Sequence, residues 1–325
     1  MSAENSLEQL KKHTKVVADT GDFDQIAKFK PLDSTTNPSL ILAASTLKQY
    51  QGLVDDAVKY GKASMSEGEE VALEKAMDKL AVNFGLEILK IIPGRVSTEI
   101  DARLSFNTEQ TVKKGRDIIA LYKEAGIDKE RVLVKIGSTW EGLQAAKILE
   151  HEGIHVNMTL VFALEQAAVA GAVGATLISP FAGRITDFYK QKLGVEGFAA
   201  AEDPGVISVQ QIFNYFKKHG LETVVMGASF RTKEQVAELC GCDLLTVSPT
   251  LLAELQNSNE PVPQKLFADK VPEDVPARLD LNEESFRWRM NENEMADFKL
   301  AEGIRRFAAD QVKLEDIIRA KLKAE

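Results

Sequence analysis

The chain has 325 residues, 44% of them hydrophobic and 27% charged, with 40 basic side chains against 49 acidic ones and a formal charge of −9. This is an ordinary globular composition, and the acidic balance, with a pI near 5.2, argues against nucleic acid or an anionic membrane as the main partner, because the net field repels both. No apolar run approaches the roughly 20 residues that span a bilayer, and Met1 to Lys12 is polar and charged, without a signal-peptide apolar segment, so a cytoplasmic protein is expected.

Such a length admits two domains of ordinary size or one large α/β barrel. Taken in chain order, short β-branched and apolar runs predict eight strands: Lys15–Asp19, Ser34–Asn37, Val96–Asp101, Val132–Gly137, His155–Val161, Ala175–Phe181, Thr223–Ser229 and Leu244–Pro249. The intervening stretches read as helices, among them Pro38–Tyr50, Gly52–Ala63, Glu69–Lys90, Trp140–Glu150 and Leu164–Ala170. Short connections through Gly153, and through Gly171 or Gly174, force neighbouring strands to run parallel. An open doubly wound sheet would carry a glycine-rich phosphate turn after its first strand. Here that strand ends in ADTGDFD, with no such turn. The expected architecture is therefore one (β/α)8 TIM barrel with additional helices, a single domain over residues 1–325. Four prolines make Gln256–Leu281 loop-like, and beyond it Leu300, Ile304, Phe307, Leu314, Ile318 and Leu322 fall at helical spacing. That pattern predicts a C-terminal helix, 292–322, packed on the barrel exterior.

In such a barrel the active site is built at the C-terminal ends of the strands. Those ends carry Asp19, Asn37, Glu99, Asp101, Lys135, Asn157, Thr159, Ser179, Ser229 and Ser248, where packing alone would favour aliphatics. Lys135 is the sharpest of them, an amine flanked by aliphatics in VLVKIG, where an unpaired ammonium is costly. It reads either as a Schiff-base nucleophile, which requires desolvation to lower its pKa, or as half of a buried ion pair with Asp19 or Glu99. Two acids near one lysine can divide proton-transfer roles, although Asp19 in DTGD also suits a turn and Asn37 before Pro38 also suits a helix cap. Asp101, followed closely by Arg103, reads as a salt bridge. Arg184 and Arg231 follow strands six and seven, where two guanidiniums with hydroxyls suit a phosphate monoester; the alternative is a pair of solvated surface arginines. The four histidines form no metal-ligand spacing, and Cys240 and Cys242 read as reduced, buried thiols.

Taken together, DTGDF, STTNPSLIL, PGRVSTEIDARLSF, VLVKIGSTWEG, NMTLVF, LISPFAGRI, EDPGV, VVMGASFR and GIRRFAADQ resemble transaldolases of the long, Schiff-base-forming type, from about Leu10 to Leu322. The resemblance implies a barrel of the class I aldolase kind and a catalytic set of Lys135 as Schiff-base lysine, Asp19 as acid/base at the substrate hydroxyl, and Glu99 with Thr159 positioning a catalytic water. It further implies that Asn37, Asn157 and Ser179 hold a dihydroxyacetone moiety, that Arg184, Ser229 and Arg231 bind its phosphate, and that Phe181 walls the pocket. Phosphorylated sugars would be the substrates, with no metal or organic cofactor, in a homodimer serving the pentose phosphate pathway. A related Schiff-base aldolase releasing free dihydroxyacetone is the alternative. Departures from the family pattern are Gly137, Ala182 and the run Ala163, Leu164, Glu165, the last bringing a charge near strand five.

Overall fold

Each strand alternates between a face turned to the surrounding helices and a face turned into the centre. In the computed structural model, which describes residues 4–324, this alternation closes a parallel barrel in the order β1 to β8 with β8 paired back to β1. The strands are β1 Lys15–Asp19, β2 Asp33–Thr35, β3 Val96–Glu99, β4 Val132–Gly137, β5 Val156–Val161, β6 Leu177–Pro180, β7 Val224–Gly227 and β8 Leu244–Val247. All eight expected strands are present, most of them shorter than the apolar runs suggested. β3 stops before Asp101 and β7 before Ser229, which has a left-handed backbone at φ +61°.

The outward residues Val16, Ala18, Val132, Val134, Ile136, Ile178, Leu245 and Val247 belong to the main core beneath the helices. Inward residues form a separate apolar plug of Val17, Leu133, Leu177, Met226 and Leu244. Two residues further along four of these strands, on the same inward face, stand Asp19, Lys135, Ser179 and Thr246. The barrel interior is thus apolar below and polar above, and the polar layer lies towards the C-terminal strand ends. Burying each plug leucine stabilises the fold by about 1.5–3 kcal/mol, which offsets part of the cost of the polar layer above it.

Helices follow the strands with ordinary caps. Asn37 accepts the Leu40 N–H at 2.9 Å ahead of Pro38–Ser45, Thr139 accepts that of Gly142 ahead of Trp140–His151, and Asp203 caps Pro204–Lys218. The interval between β2 and β3 holds the extra helices Gln51–Lys62 and Glu69–Leu89 close to the expected bounds. Cys240 and Cys242 are free and buried, and burial pushes their thiols up to about 11 and about 12, as inert cysteines require. Among the described residues no helix is long and apolar enough to cross a membrane.

The C-terminal helix, Glu294–Lys323, corrects one expectation. It does not stay on the outer surface. It packs on Pro38–Ser45 and Gln51–Lys62 but also reaches β5, and it puts Phe307 into the barrel mouth. Gly303 permits this approach: a Cβ there would lie 2.7 Å from Leu160 Cδ2 and 3.2 Å from Arg184 Nη1.

Candidate active site

The strand ends converge on a cavity of about 60 Å³ lined by Asp19, Asn37, Lys135, Ser179, Phe181, Arg184 and Ser229 among the expected residues, and by Thr35, Met226, Ala228, Thr246 and Phe307 beside them. Register brings the rest close. Glu99 pairs with Lys135, Lys135 with Asn157, and Gly137 with Thr159 across β3, β4 and β5.

Lys135 is 4% exposed. Its ammonium donates to the Thr36 carbonyl at 3.1 Å and lies 3.0 Å from Glu99 Oε2. That oxygen is buried and has no protein partner besides the Lys135 ammonium. Of the two sequence readings, the buried ion pair is present, and it is with Glu99 rather than Asp19. The pair does not compete with a nucleophilic role, because a carboxylate beside an ammonium is also the nearest acceptor for its proton. Burial pushes the Glu99 carboxyl above the ordinary carboxylate value, against the pull of Lys135 and Arg184, with Asp19 adding to the rise. A carboxylate so placed is a better proton acceptor than one in water.

Asp19 faces the same cavity from β1. The Thr35 hydroxyl donates to its Oδ1 at 3.0 Å, and Thr246 Oγ1 lies 3.0 Å from Thr35 Oγ1. Since Thr35 has a single hydroxyl proton and gives it to the carboxylate, Thr246 is the donor in the second bond. Burial again raises this carboxyl, opposed by Lys135, then the Thr35 hydrogen bond, then Arg184. Its surroundings set the direction: the cavity it touches is walled by protein.

Asn157 is fully buried and fixed at both ends of its amide, donating to Ser97 Oγ at 3.0 Å and accepting from Ser179 Oγ at 2.6 Å. Thr159 sits at a register irregularity in β5, next to Leu160 in a left-handed backbone at φ +57°, and its Oγ1 is buried with no protein partner. Bulges and strained backbones of this kind re-aim side chains at functional sites. Among the described residues the non-glycine residues with positive φ are Lys30, Leu160 and Ser229, and Ser229 lines this cavity.

The two arginines part company. Arg184 rises from the first turn of Ala182–Leu193, its guanidinium 5.0 Å from the Phe181 ring centroid and 5.2 Å from that of Phe307, with Nη1 buried and without a protein partner. Burial first, then the fields of Arg306 and Arg231, lower its pKa, against the pull of Glu99 and Glu302. Arg231 is exposed at the rim and committed to Asp187 at 2.7 Å, with Nη1 3.3 Å from Ser229 Oγ. The solvated reading thus holds for much of the Arg231 side chain and not for Arg184. Gly183 closes this corner: its N–H donates to the Ser229 carbonyl at 2.9 Å, and a Cβ would lie 2.2 Å from that oxygen.

Other expectations fall into place around the rim. Asn37 caps its helix and also lines the cavity, filling both roles the sequence left open. Asp101 pairs with Arg103, which also reaches Glu315. Glu165 faces Arg289 at 3.9 Å. A larger cavity, about 570 Å³, lies against Glu69–Leu89 and Thr108–Glu124, where Lys114 is already committed to Glu74 and Asp78, 2.6 Å from each. The small cavity, which gathers Asp19, Lys135 and the unpartnered Nη1 of Arg184, is the candidate site. No cluster of three or more His, Cys, Asp or Glu side chains able to hold a metal ion occurs among the described residues.

The family model for transaldolase/fructose-6-phosphate aldolase matches residues 16–318. A probable transaldolase of Dictyostelium discoideum is 62% identical over 316 residues, covering 97% of this chain and 98% of the relative. The transaldolase of Shewanella piezotolerans is 55% identical over 320 residues, with 98% and 99% covered, and a probable transaldolase of Drosophila melanogaster is 54% identical over 319 residues, with 98% and 96% covered.

Proposed function

The chain belongs to the transaldolase/fructose-6-phosphate aldolase family, and from that premise we propose that it is a transaldolase working through a Schiff base on Lys135. The observation that carries the reading is a buried lysine 3.0 Å from a buried carboxylate oxygen that has no other protein partner, at the polar end of the barrel. The donor is a ketose phosphate such as sedoheptulose 7-phosphate or fructose 6-phosphate. The acceptor is an aldose phosphate, and the place of the reaction is the pentose phosphate pathway.

Chemically, Glu99 takes a proton from the Lys135 ammonium, and the freed amine adds to the ketone carbon of the donor. Loss of water gives the iminium, with Glu99 and Thr159 holding that water as it leaves and later returns. Asp19 accepts the proton of the C4 hydroxyl. The C3–C4 bond then breaks, releasing the aldose while its electron pair is held as an enamine conjugated with the former imine. The enamine carbon attacks the acceptor aldehyde, whose oxygen recovers the proton from Asp19. Water then hydrolyses the new iminium and frees Lys135. Ser179, Asn37 and Asn157 suit the hydroxyls of the three-carbon unit, and Arg184, Ser229 and Arg231 suit the phosphate, with Phe181 as a wall. No cofactor enters this scheme, since the iminium is itself the electron sink.

The family description spans a second reaction, release of free dihydroxyacetone from fructose 6-phosphate. An assay with fructose 6-phosphate alone, and then with erythrose 4-phosphate added, separates the two. A transaldolase stalls after one equivalent of released aldose until the acceptor arrives. Sustained release of dihydroxyacetone without an acceptor would establish the aldolase instead.

A further inference from the structure

Among the described residues lining the cavity, Phe307 alone comes from the C-terminal helix, the others lying on the barrel strands or within a few residues after them. It meets Arg184 by its ring, 5.2 Å from the guanidinium carbon, while Phe181 meets the same group at 5.0 Å and is itself braced by Phe162 at 5.7 Å. Two rings hold a guanidinium by its face and consume none of its N–H donors. A carboxylate partner would do the opposite, as Asp187 does for Arg231, turning the donors towards itself and cancelling the charge. The consequence is visible in Arg184 Nη1, which is buried, unpartnered and beside the cavity. Approach of the C-terminal helix to this distance depends on Gly303, one turn before Phe307, where any side chain would strike Leu160 or Arg184.

We propose that Phe307 is a positioning residue that keeps the Arg184 guanidinium charged, oriented and free for an anionic group, and thereby sets the preference for phosphorylated over unphosphorylated ketoses. This rests on Arg184 being the phosphate ligand. Phe307→Leu keeps most of the packing volume and removes the ring face, whereas Phe307→Tyr keeps the face. Cation–π contacts of this partly buried kind correspond to about 3- to 30-fold in affinity.

The test is calorimetric titration of wild type, F307L, F307Y and R184Q with inorganic phosphate, together with kcat and KM for fructose 6-phosphate and fructose. F307L is expected to bind phosphate about 3- to 30-fold more weakly and to raise KM for fructose 6-phosphate by a similar factor. Its kcat and its activity on fructose should change much less, and F307Y should stay near wild type. If F307L binds phosphate like wild type while R184Q binds it weakly, the proposal is overturned and the role of Arg184 stands. If R184Q also binds like wild type, both fall. Equal losses on the two ketoses would make Phe307 a packing residue and overturn the proposal as well.

Discussion

Replacing Thr35 by Val leaves the shape of β2 intact and removes the hydroxyl that donates to Asp19 Oδ1 at 3.0 Å. A hydrogen bond to an ionised carboxylate contributes about 1.5–3 kcal/mol and one to its neutral form about 0.5–1.5 kcal/mol, so the anion loses roughly 1 kcal/mol more than the acid does. At 1.36 kcal/mol per unit, the Asp19 carboxyl rises by about one pH unit. It already lies above the ordinary carboxylate value because of burial. In the proposed mechanism Asp19 must be deprotonated to accept the substrate proton, so activity is lost as pH falls through its pKa. The acid limb of the kcat/KM profile should therefore move up by about one unit in T35V, with the alkaline limb unchanged. That limb belongs to Asp19 and Glu99 together, since both carboxyls feel Lys135 and Glu99 also feels Asp19; the shift, not the absolute value, is the readout. Steady-state rates over the acid range, with circular dichroism to verify folding at each pH, give the measurement. An acid limb that stays in place or moves down would show that Thr35 does not act on the ionisation that limits the reaction.

Asp19→Asn should stabilise the fold while stopping carbon–carbon cleavage, because a carboxyl raised by burial costs the folded state stability once it ionises. The cost is absent below the unfolded pKa, grows as pH rises towards the folded value and is complete above it; the Tm advantage of D19N should accordingly widen from acid to neutral pH, and a constant or reversed gap counts against the buried-charge account. Arg184→Ala should weaken kcat/KM for fructose 6-phosphate by about 10- to 100-fold, the equivalent of a charge-assisted hydrogen bond. Arg231→Ala should cost nearer the lower bound, since much of that side chain is already committed to Asp187 at the exposed rim. Both should leave activity on unphosphorylated fructose far less affected, whereas equal losses on both substrates would remove the arginines from substrate binding.

Much of the fold was legible because strand parity is a strong signal. The sequence VLVKIG places Leu133 and Lys135 on one face and Val132, Val134 and Ile136 on the other, and the structure divides them between the plug and polar layer inside and the main core outside. The same parity carries Asp19 above Val17 and Ser179 above Leu177. Thr35, Ser97 and Thr246 escaped notice because hydroxyls are at home in any half-buried strand; their signal was position, two residues before Asn37, Glu99 and Ser248 on the inward face. Phe307 was read correctly as part of an apolar helical stripe. What periodicity cannot say is which surface the stripe meets, and here the absence of a Cβ at Gly303 admits the helix to the barrel mouth. Nor could spacing reveal Asp187, 44 residues before its partner Arg231.

The account turns on Lys135, and borohydride reduction in the presence of fructose 6-phosphate, followed by peptide mass mapping, addresses it directly. Reduction should fix a dihydroxyacetone-derived mass on the peptide containing Lys135 and on no other lysine peptide, and K135A should take up none. An adduct on a different lysine, or label retained by K135A, would contradict the assignment.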